Sequence, residues 1–215
     1  MDNIKAPLIN QKTTKVFSKF SPDEAEHFLR SRRSIRSYKE TPVSREKLTS
    51  LVNIAHYAPT GSNLQGISYI VIADRNILNK AIELTVEKLS MDEILSKRFH
   101  NYIKPYKTEG IDTILRGAPC LVLAIADVDF PRGRENSIFS LAYMELYAPT
   151  IGLGSCWAGV LEKIAFKDNS PMNKLFNIPK DKQITAAVMV GYPKYSYPRL
   201  VDRNPLEVSF YQSNV

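Results

Sequence analysis

Three arginines and a serine stand within five residues, at Arg32, Arg33, Ser34 and Arg36. Guanidiniums carry forked N–H donors matched to phosphate oxygens, and the hydroxyl adds one more. In an extended segment the two-residue steps from Arg32 to Ser34 to Arg36 align those side chains. A solvated basic patch or a nucleic-acid contact would read the same way. A second candidate is "APTGSNLQ", Ala58 to Gln65. There the Pro59 stop, Gly61 and the amides of Asn63 and Gln65 describe a rigid loop exposing backbone and side-chain hydrogen-bonding groups, though a plain helix-to-strand connection has this composition too. The third is "GLGSCWAGVL", Gly152 to Leu161. Its small residues, Ala158 and Gly159 among them, let a flat ligand approach the backbone, and Trp157 offers an aromatic wall. A glycine-rich turn into a buried strand is the alternative. The stretch is neither a G-x-G-x-x-G between strand and helix nor a P-loop, so nucleotide fingerprints of those kinds are excluded. Arg199 and Arg203 join the first cluster if the ends of the chain meet.

The elements that must hold these residues are legible in part. Ser21, Pro22 and Glu24 form a capping box that opens a helix delivering the arginines at its end. Ser44 caps a second helix with Leu48, Leu51, Val52 and Ala55 on one face, stopped by Pro59. "ISYIVIAD" is β-branched and of strand length, and the next segment returns to helical period through Ile77, Leu78, Ala81, Ile82 and Thr85. A polar helical stretch follows through "KRFHNYIKPYK". "PCLVLAIAD" reads as a buried central strand. "ENSIFSLAYMELYAPTIGLGS" is the most apolar helix, suited to the core or to an interface. "SCWAGVL" and "ITAAVMVGYP" read as short strands, and "RLVDRNPLEVSF" as an extended edge strand or arm. Helices and strands mix without strict alternation, which predicts an α+β sandwich rather than a doubly wound sheet.

With 215 residues and 44% hydrophobic content the chain can bury one core, and no linker or repeat divides it. The expected organisation is an N-terminal arm over 1–20 and a single domain over 21–215. A net charge of +7 admits nucleic acid, an anionic membrane surface or a phosphorylated small molecule, without choosing among them. The start "MDNIKAPLINQKTTK" has no apolar core of a secretory signal, and no run has the length of a membrane span, so a cytoplasmic location and no membrane partner are expected. Cys120 and Cys156 stand far apart, and His27, His56 and His100 are scattered, so neither disulfide nor metal site is expected.

Taken in order, "RRSIRSYKETPV", "APTGSNLQGISYIVIAD", "ELYAPTIGLGSCWAG", "MVGYP" and "RNPLEV" resemble the successive signatures of the flavin-dependent nitroreductase family, over Ser21 to Val208. The resemblance implies a three-layer α+β sandwich whose central sheet is mixed but mostly antiparallel, and a homodimer holding FMN at its interface. It places Arg32, Ser34 and Arg36 on the FMN phosphate, ribityl chain and pyrimidine edge, with Arg33 adjacent and Arg203 joining at the phosphate. It makes Pro59, Thr60, Gly61 and Asn63 the loop that a partner subunit lays against the flavin. The backbone N–H groups of Ala158 and Gly159 would approach the N5 and O4 edge, where donors stabilise negative charge on the reduced ring. The implied reaction moves electrons from NAD(P)H to a small organic acceptor such as a nitroaromatic or quinone, with no protein acid or base required. Several members carry glutamate where this chain has Ala158. The "RR" pair and "SCW" look closer to members fused to a ferredoxin module, which makes a redox protein the alternative electron donor. A flavin-binding protein without turnover is a further alternative. A nucleic-acid-binding protein is disfavoured, because Lys and Arg are spread along the chain rather than gathered in one stripe.

Overall fold

The computed structural model describes residues 20–167 and 169–211, so the expected arm lies outside the described residues except for Phe20. Helix α1 (Pro22–Ser31) opens with the anticipated capping box: the Glu24 amide donates to Ser21 Oγ and the Ser21 amide to Glu24 Oε2. Helix α2 (Arg45–His56) starts at the Ser44 cap and buries Leu48, Leu51 and Ala55. Strand β1 (Ser68–Ile72) leads into α3 (Arg75–Met91), α4 (Glu93–Arg98) and α5 (His100–Glu109). Strand β2 (Cys120–Asp127) precedes α6 (Gly133–Tyr147). Strand β3 (Gly154–Trp157), α7 (Gly159–Ala165), α8 (Pro171–Leu175) and β4 (Lys182–Gly191) complete the order.

The four strands form one sheet in the order β1-β2-β4-β3 with every neighbouring pair antiparallel. A parallel bridge between Ser34 and Ser155 adds the mixed character. The period-2 pleat explains the layers. From β2, Leu121, Leu123 and Ile125 enter a core shared with α3, α5 and α7, while Cys120, Val122, Ala124 and Ala126 enter a second core with α2 and α6. One irregularity interrupts the alternation. Ala124 pairs with Ala186 and Ile125 with Ile184, so Thr185 is bulged out and Ile184 and Ala186 fall into different cores. The Thr185 hydroxyl meets Ser137 Oγ at 2.6 Å and the Ala124 carbonyl at 3.0 Å.

Two expectations need correcting. "SCWAGVL" is not one strand: β3 stops at Trp157, where the Ala158 N–H makes a last bond to the Ala187 carbonyl, 2.9 Å away. Beyond it Leu161, Ile164 and Ala165 recur at helical spacing and are buried in the first core, so the segment gains more as α7 than as a strand. The tail forms no strand among the described residues, and Leu206, Val208, Phe210 and Tyr211 are exposed. Helix α6 buries Asn136, Ser137 and Ser140 beside Leu141 and Met144, while Ile138, Phe139 and Tyr143 face outward.

Candidate functional site

The arginine segment leaves α1 at Arg32 in extended conformation (φ −63°, ψ 130°) and runs along the outer edge of β3, held by the Ile35 N–H on the Ser155 carbonyl at 2.8 Å. Ile35 and Tyr38 turn into the core and anchor it. Arg32 and Ser34 form a pair, with Nη1 3.4 Å from the serine hydroxyl. The same Nη1 lies 3.9 Å from Oε1 of Glu145, which also accepts from Ser155 Oγ at 3.1 Å. Arg36 is exposed and makes no hydrogen bond or ion pair among the described residues. Arg33 points elsewhere. Its guanidinium stacks 4.9 Å from the centre of the Tyr197 ring, donates to the Arg199 carbonyl at 3.4 Å, and lines a cavity of about 390 Å³ with Ile35, Tyr195 and Tyr197. The segment after α1 thus meets the segment around Tyr197 and Arg199, through the Tyr197 ring and the Arg199 carbonyl. Arg203 is exposed; its amide bonds to Asp202 Oδ1, and its guanidinium makes no hydrogen bond or ion pair with the cluster among the described residues.

Ser155, the β3 residue bonded to the arginine strip, stands four residues before Gly159, which puts Gly159 about 13 Å further along the chain. The Ala158 N–H, expected to be a free donor, is committed to Ala187, and the residue is 1% exposed. That leaves the Gly159 N–H, at the first position of α7, where no side chain caps the helix. The neighbouring carboxylate of Glu162 fixes this corner. It is buried, accepts the Ala187 N–H at 2.9 Å and is gripped by both Nη atoms of Arg134 at 3.1 Å each. Arg134 in turn stacks on Trp157 and Phe166.

The loop from Pro59 to Asn63 attaches to the opposite end of α6 from Glu145. The Gly61 N–H donates to Asn136 Oδ1 at 3.0 Å, and nine residues of helix, about 14 Å, separate Asn136 from Glu145. Pro59 and Asn63 are exposed, Thr60 and Gly61 half-buried. Ser62, Asn63 and Gln65 all adopt left-handed backbone (φ 52°, 54° and 52°), a strained conformation for side-chain-bearing residues. Within one chain this loop is therefore held apart from the arginine strip.

The glycines separate structural from unexplained positions. Gly110, Gly117 and Gly152 have positive φ. At Gly66, Gly154, Gly191 and, more mildly, Gly133, an added Cβ would press on Phe130, Ile35, Pro119 and Ala126 respectively. Gly61 and Gly159 alone have neither reason: a Cβ would find nothing nearer than 4.0 Å at the first and 3.7 Å at the second. Both belong to the candidate set read from the sequence.

Burial sets the protonation states. It pushes the Tyr38 hydroxyl far above its ordinary value and raises the Cys156 thiol, against the opposing pull of Arg36. Cys156 is consequently a thiol rather than a thiolate nucleophile. Burial also raises Glu145, offset in part by Arg32 and by the Ser155 hydroxyl. Among the described residues no cluster of His, Cys, Asp and Glu could hold a metal, and no helix is long and apolar enough to cross a membrane. Sequence reasoning missed Glu145, Asn136 and the Arg134–Glu162 pair. Of these Glu145 left a trace, as a lone acid within "LAYMELY".

Comparison with known proteins decides the family. The model of the nitroreductase family matches residues 29–192, most of the chain. The chain belongs to the nitroreductase family. An iodotyrosine deiodinase from Thermotoga neapolitana is 25% identical over 182 residues, spanning 79% of this chain and 90% of that protein. The fold is shared with a nitroreductase with bound FMN from Bacteroides fragilis, at TM-score 0.70 and 16% identity, covering 88% of this chain and 99% of the other. It is shared too with a nitroreductase with bound FMN from Desulfitobacterium hafniense, at TM-score 0.68 and 19% identity, covering 86% and 97%. The two solved structures share the α+β architecture of this chain.

Proposed function

We propose that this protein is an FMN-dependent oxidoreductase that takes electrons from NADH or NADPH and delivers them to a small organic acceptor such as a nitroaromatic or a quinone. The observation that carries this reading is the pair Gly61 and Gly159, which have no reason inside the chain to lack a side chain and which leave room for a flat ligand against the backbone. The donor set fits the cofactor. Arg32 Nη2 and Nε and the whole Arg36 guanidinium carry no hydrogen bond among the described residues, and Ser34 stands between them, a set matched to a phosphate and a polyol. The Gly159 N–H, on an uncapped helix start, suits a site where negative charge develops.

Bound FMN supplies the two-electron chemistry, accepting a hydride and passing electrons on. The chain's own part is to hold the phosphate with Arg32, Ser34 and Arg36, to offer the Gly159 N–H to the ring edge, and to keep acid–base groups out. Cys156 and Tyr38, buried beneath the strip, are held protonated and do not compete for protons.

The site is shared between two copies of the chain. Ile138, Phe139 and Tyr143 on the outward face of α6, with Tyr57 and Leu64 beside the loop, make an apolar surface that suits a homodimer, and the second copy's loop, Pro59 to Asn63, would close over the flavin. The tail, with Leu206, Val208 and Phe210 at period 2 and exposed, suits an arm across the second copy.

The names of relatives such as the Thermotoga iodotyrosine deiodinase favour one second reading, in which the acceptor is a halogenated phenol. The test is oxidation of NADH and NADPH by the flavin-loaded dimer under anaerobic conditions, with a nitroaromatic, a quinone and a halotyrosine as acceptors in parallel. Turnover with the first two supports the proposal. Turnover with the halotyrosine alone moves the acceptor to the second reading. A flavin that neither nicotinamide reduces, but dithionite does, overturns the NAD(P)H donor in favour of a redox protein.

A further inference from the structure

The geometry points to Glu145 as the positioning residue that presents Arg32 to the flavin phosphate. This rests on the FMN reading above and adds to it a residue that neither the strip nor the glycine-rich turn contains. Glu145 lies on the last turn of α6 with its side chain 13% exposed. One oxygen, Oε1, serves two elements at once: it accepts from Ser155 Oγ on β3 at 3.1 Å and lies 3.9 Å from Arg32 Nη1 at the end of α1. Ser155 is also the residue whose carbonyl holds Ile35, so Glu145, Ser155 and the arginine strip form a single unit.

A carboxylate so placed has no structural excuse of its own. Burial disfavours its charge, and a neutral side chain would satisfy Ser155 equally well. It cannot attract a phosphate directly, since both are anions. Its effect must pass through Arg32. A guanidinium has many rotamers, and fixing one of them in advance saves the entropy of ordering it on binding. At 3.9 Å the carboxylate orients Arg32 by charge without taking up its Nη2 and Nε donors, which stay available to phosphate oxygens.

The test is titration of the flavin-stripped full-length protein with FMN and, separately, with riboflavin, which lacks the phosphate. Wild type is compared with Glu145→Gln, Glu145→Ala, Arg32→Ala and the Arg32→Ala/Glu145→Gln double variant. Glu145→Gln keeps an acceptor for Ser155 and carries the test even if Glu145→Ala does not fold. The expected result is a loss of about tenfold in FMN affinity for Glu145→Gln, with riboflavin affinity unchanged and no further loss in the Arg32→Ala background. Equal losses for FMN and riboflavin, additive losses in the double variant, or no loss at all would each overturn the assignment. Wild-type protein that binds neither flavin would overturn the cofactor reading itself, and this inference with it.

Discussion

One methyl group, added at Gly159 or at Gly154, should have opposite effects on the fold and thereby separate the scaffold from the site. At Gly159 an alanine Cβ would meet nothing closer than Trp157 Cδ1 at 3.7 Å, an ordinary contact. Glycine here has no positive φ, so alanine should leave the flavin-free protein as stable as wild type or stabilise it by about 0.4–1 kcal/mol through the unfolded chain. At Gly154 the new Cβ would overlap Ile35, whose own Cβ would be 2.9 Å away, and would touch Pro193 at 3.0 Å. Ile35 cannot retreat easily because its N–H is bonded to Ser155 and its side chain is buried. Overpacking of this kind costs about 1–3 kcal/mol, equivalent to a fall of about 2–12 °C in Tm for a chain of this size. Thermal melts of the flavin-free variants read the stability, and quenching of flavin fluorescence reads the affinity. Gly159→Ala should fold normally yet bind FMN more weakly by about 1–3 kcal/mol, the cost of forcing a methyl group into a packed contact. Wild-type affinity in Gly159→Ala would show that the room at this glycine is not where the ring lies. Wild-type melting in Gly154→Ala would show that the strip is not pinned to β3.

Arg32→Ala and Arg36→Ala should each weaken FMN retention by about 1–3 kcal/mol, the worth of a charge-assisted hydrogen bond; unchanged occupancy after gel filtration of both variants would misplace the phosphate. Glu162→Ala should cost about 2–4 kcal/mol in urea unfolding, because it orphans the Ala187 N–H and removes the Arg134 grip, with a discount since Arg134 is 40% exposed. Glu162→Gln, which keeps the acceptor, should cost less, and equal effects from the two would contradict this division. Burial raises the Glu145 carboxyl, so the folded chain holds that proton more tightly than the unfolded one. The stability it contributes therefore falls as pH rises through the ordinary carboxylate range and levels off above the raised value. The difference in unfolding free energy between wild type and Glu145→Gln should show this slope, and parallel curves would refute it.

How much of this was legible in the sequence depended on whether the signal was local. The capping box at Ser21, the Ser44 cap and the buried run of β2 were readable because each is encoded within a few consecutive residues. The extended geometry of Arg32 to Arg36 and the order of motifs gave the strip and the family. The end of β3 was not readable: Ala158 and Gly159 are compatible with strand or helix, and the choice is made by the Ala187 carbonyl and the Glu162–Arg134 pair, 28 residues apart in the chain. The Thr185 bulge is equally hidden, since it follows from a hydroxyl partner on α6. The role of Ala158 illustrates the same limit, because whether an amide is free depends on what the rest of the fold has already bonded to it.

The most direct test of the account is the absorption spectrum of the purified full-length protein, recorded across the visible range before and after adding NADH or NADPH without oxygen. The expected spectrum shows the two bands of a bound flavin, released as FMN on denaturation, that bleach with nicotinamide and return when a nitroaromatic or quinone is added. A protein that is colourless, and stays so after incubation with FMN and gel filtration, would contradict it.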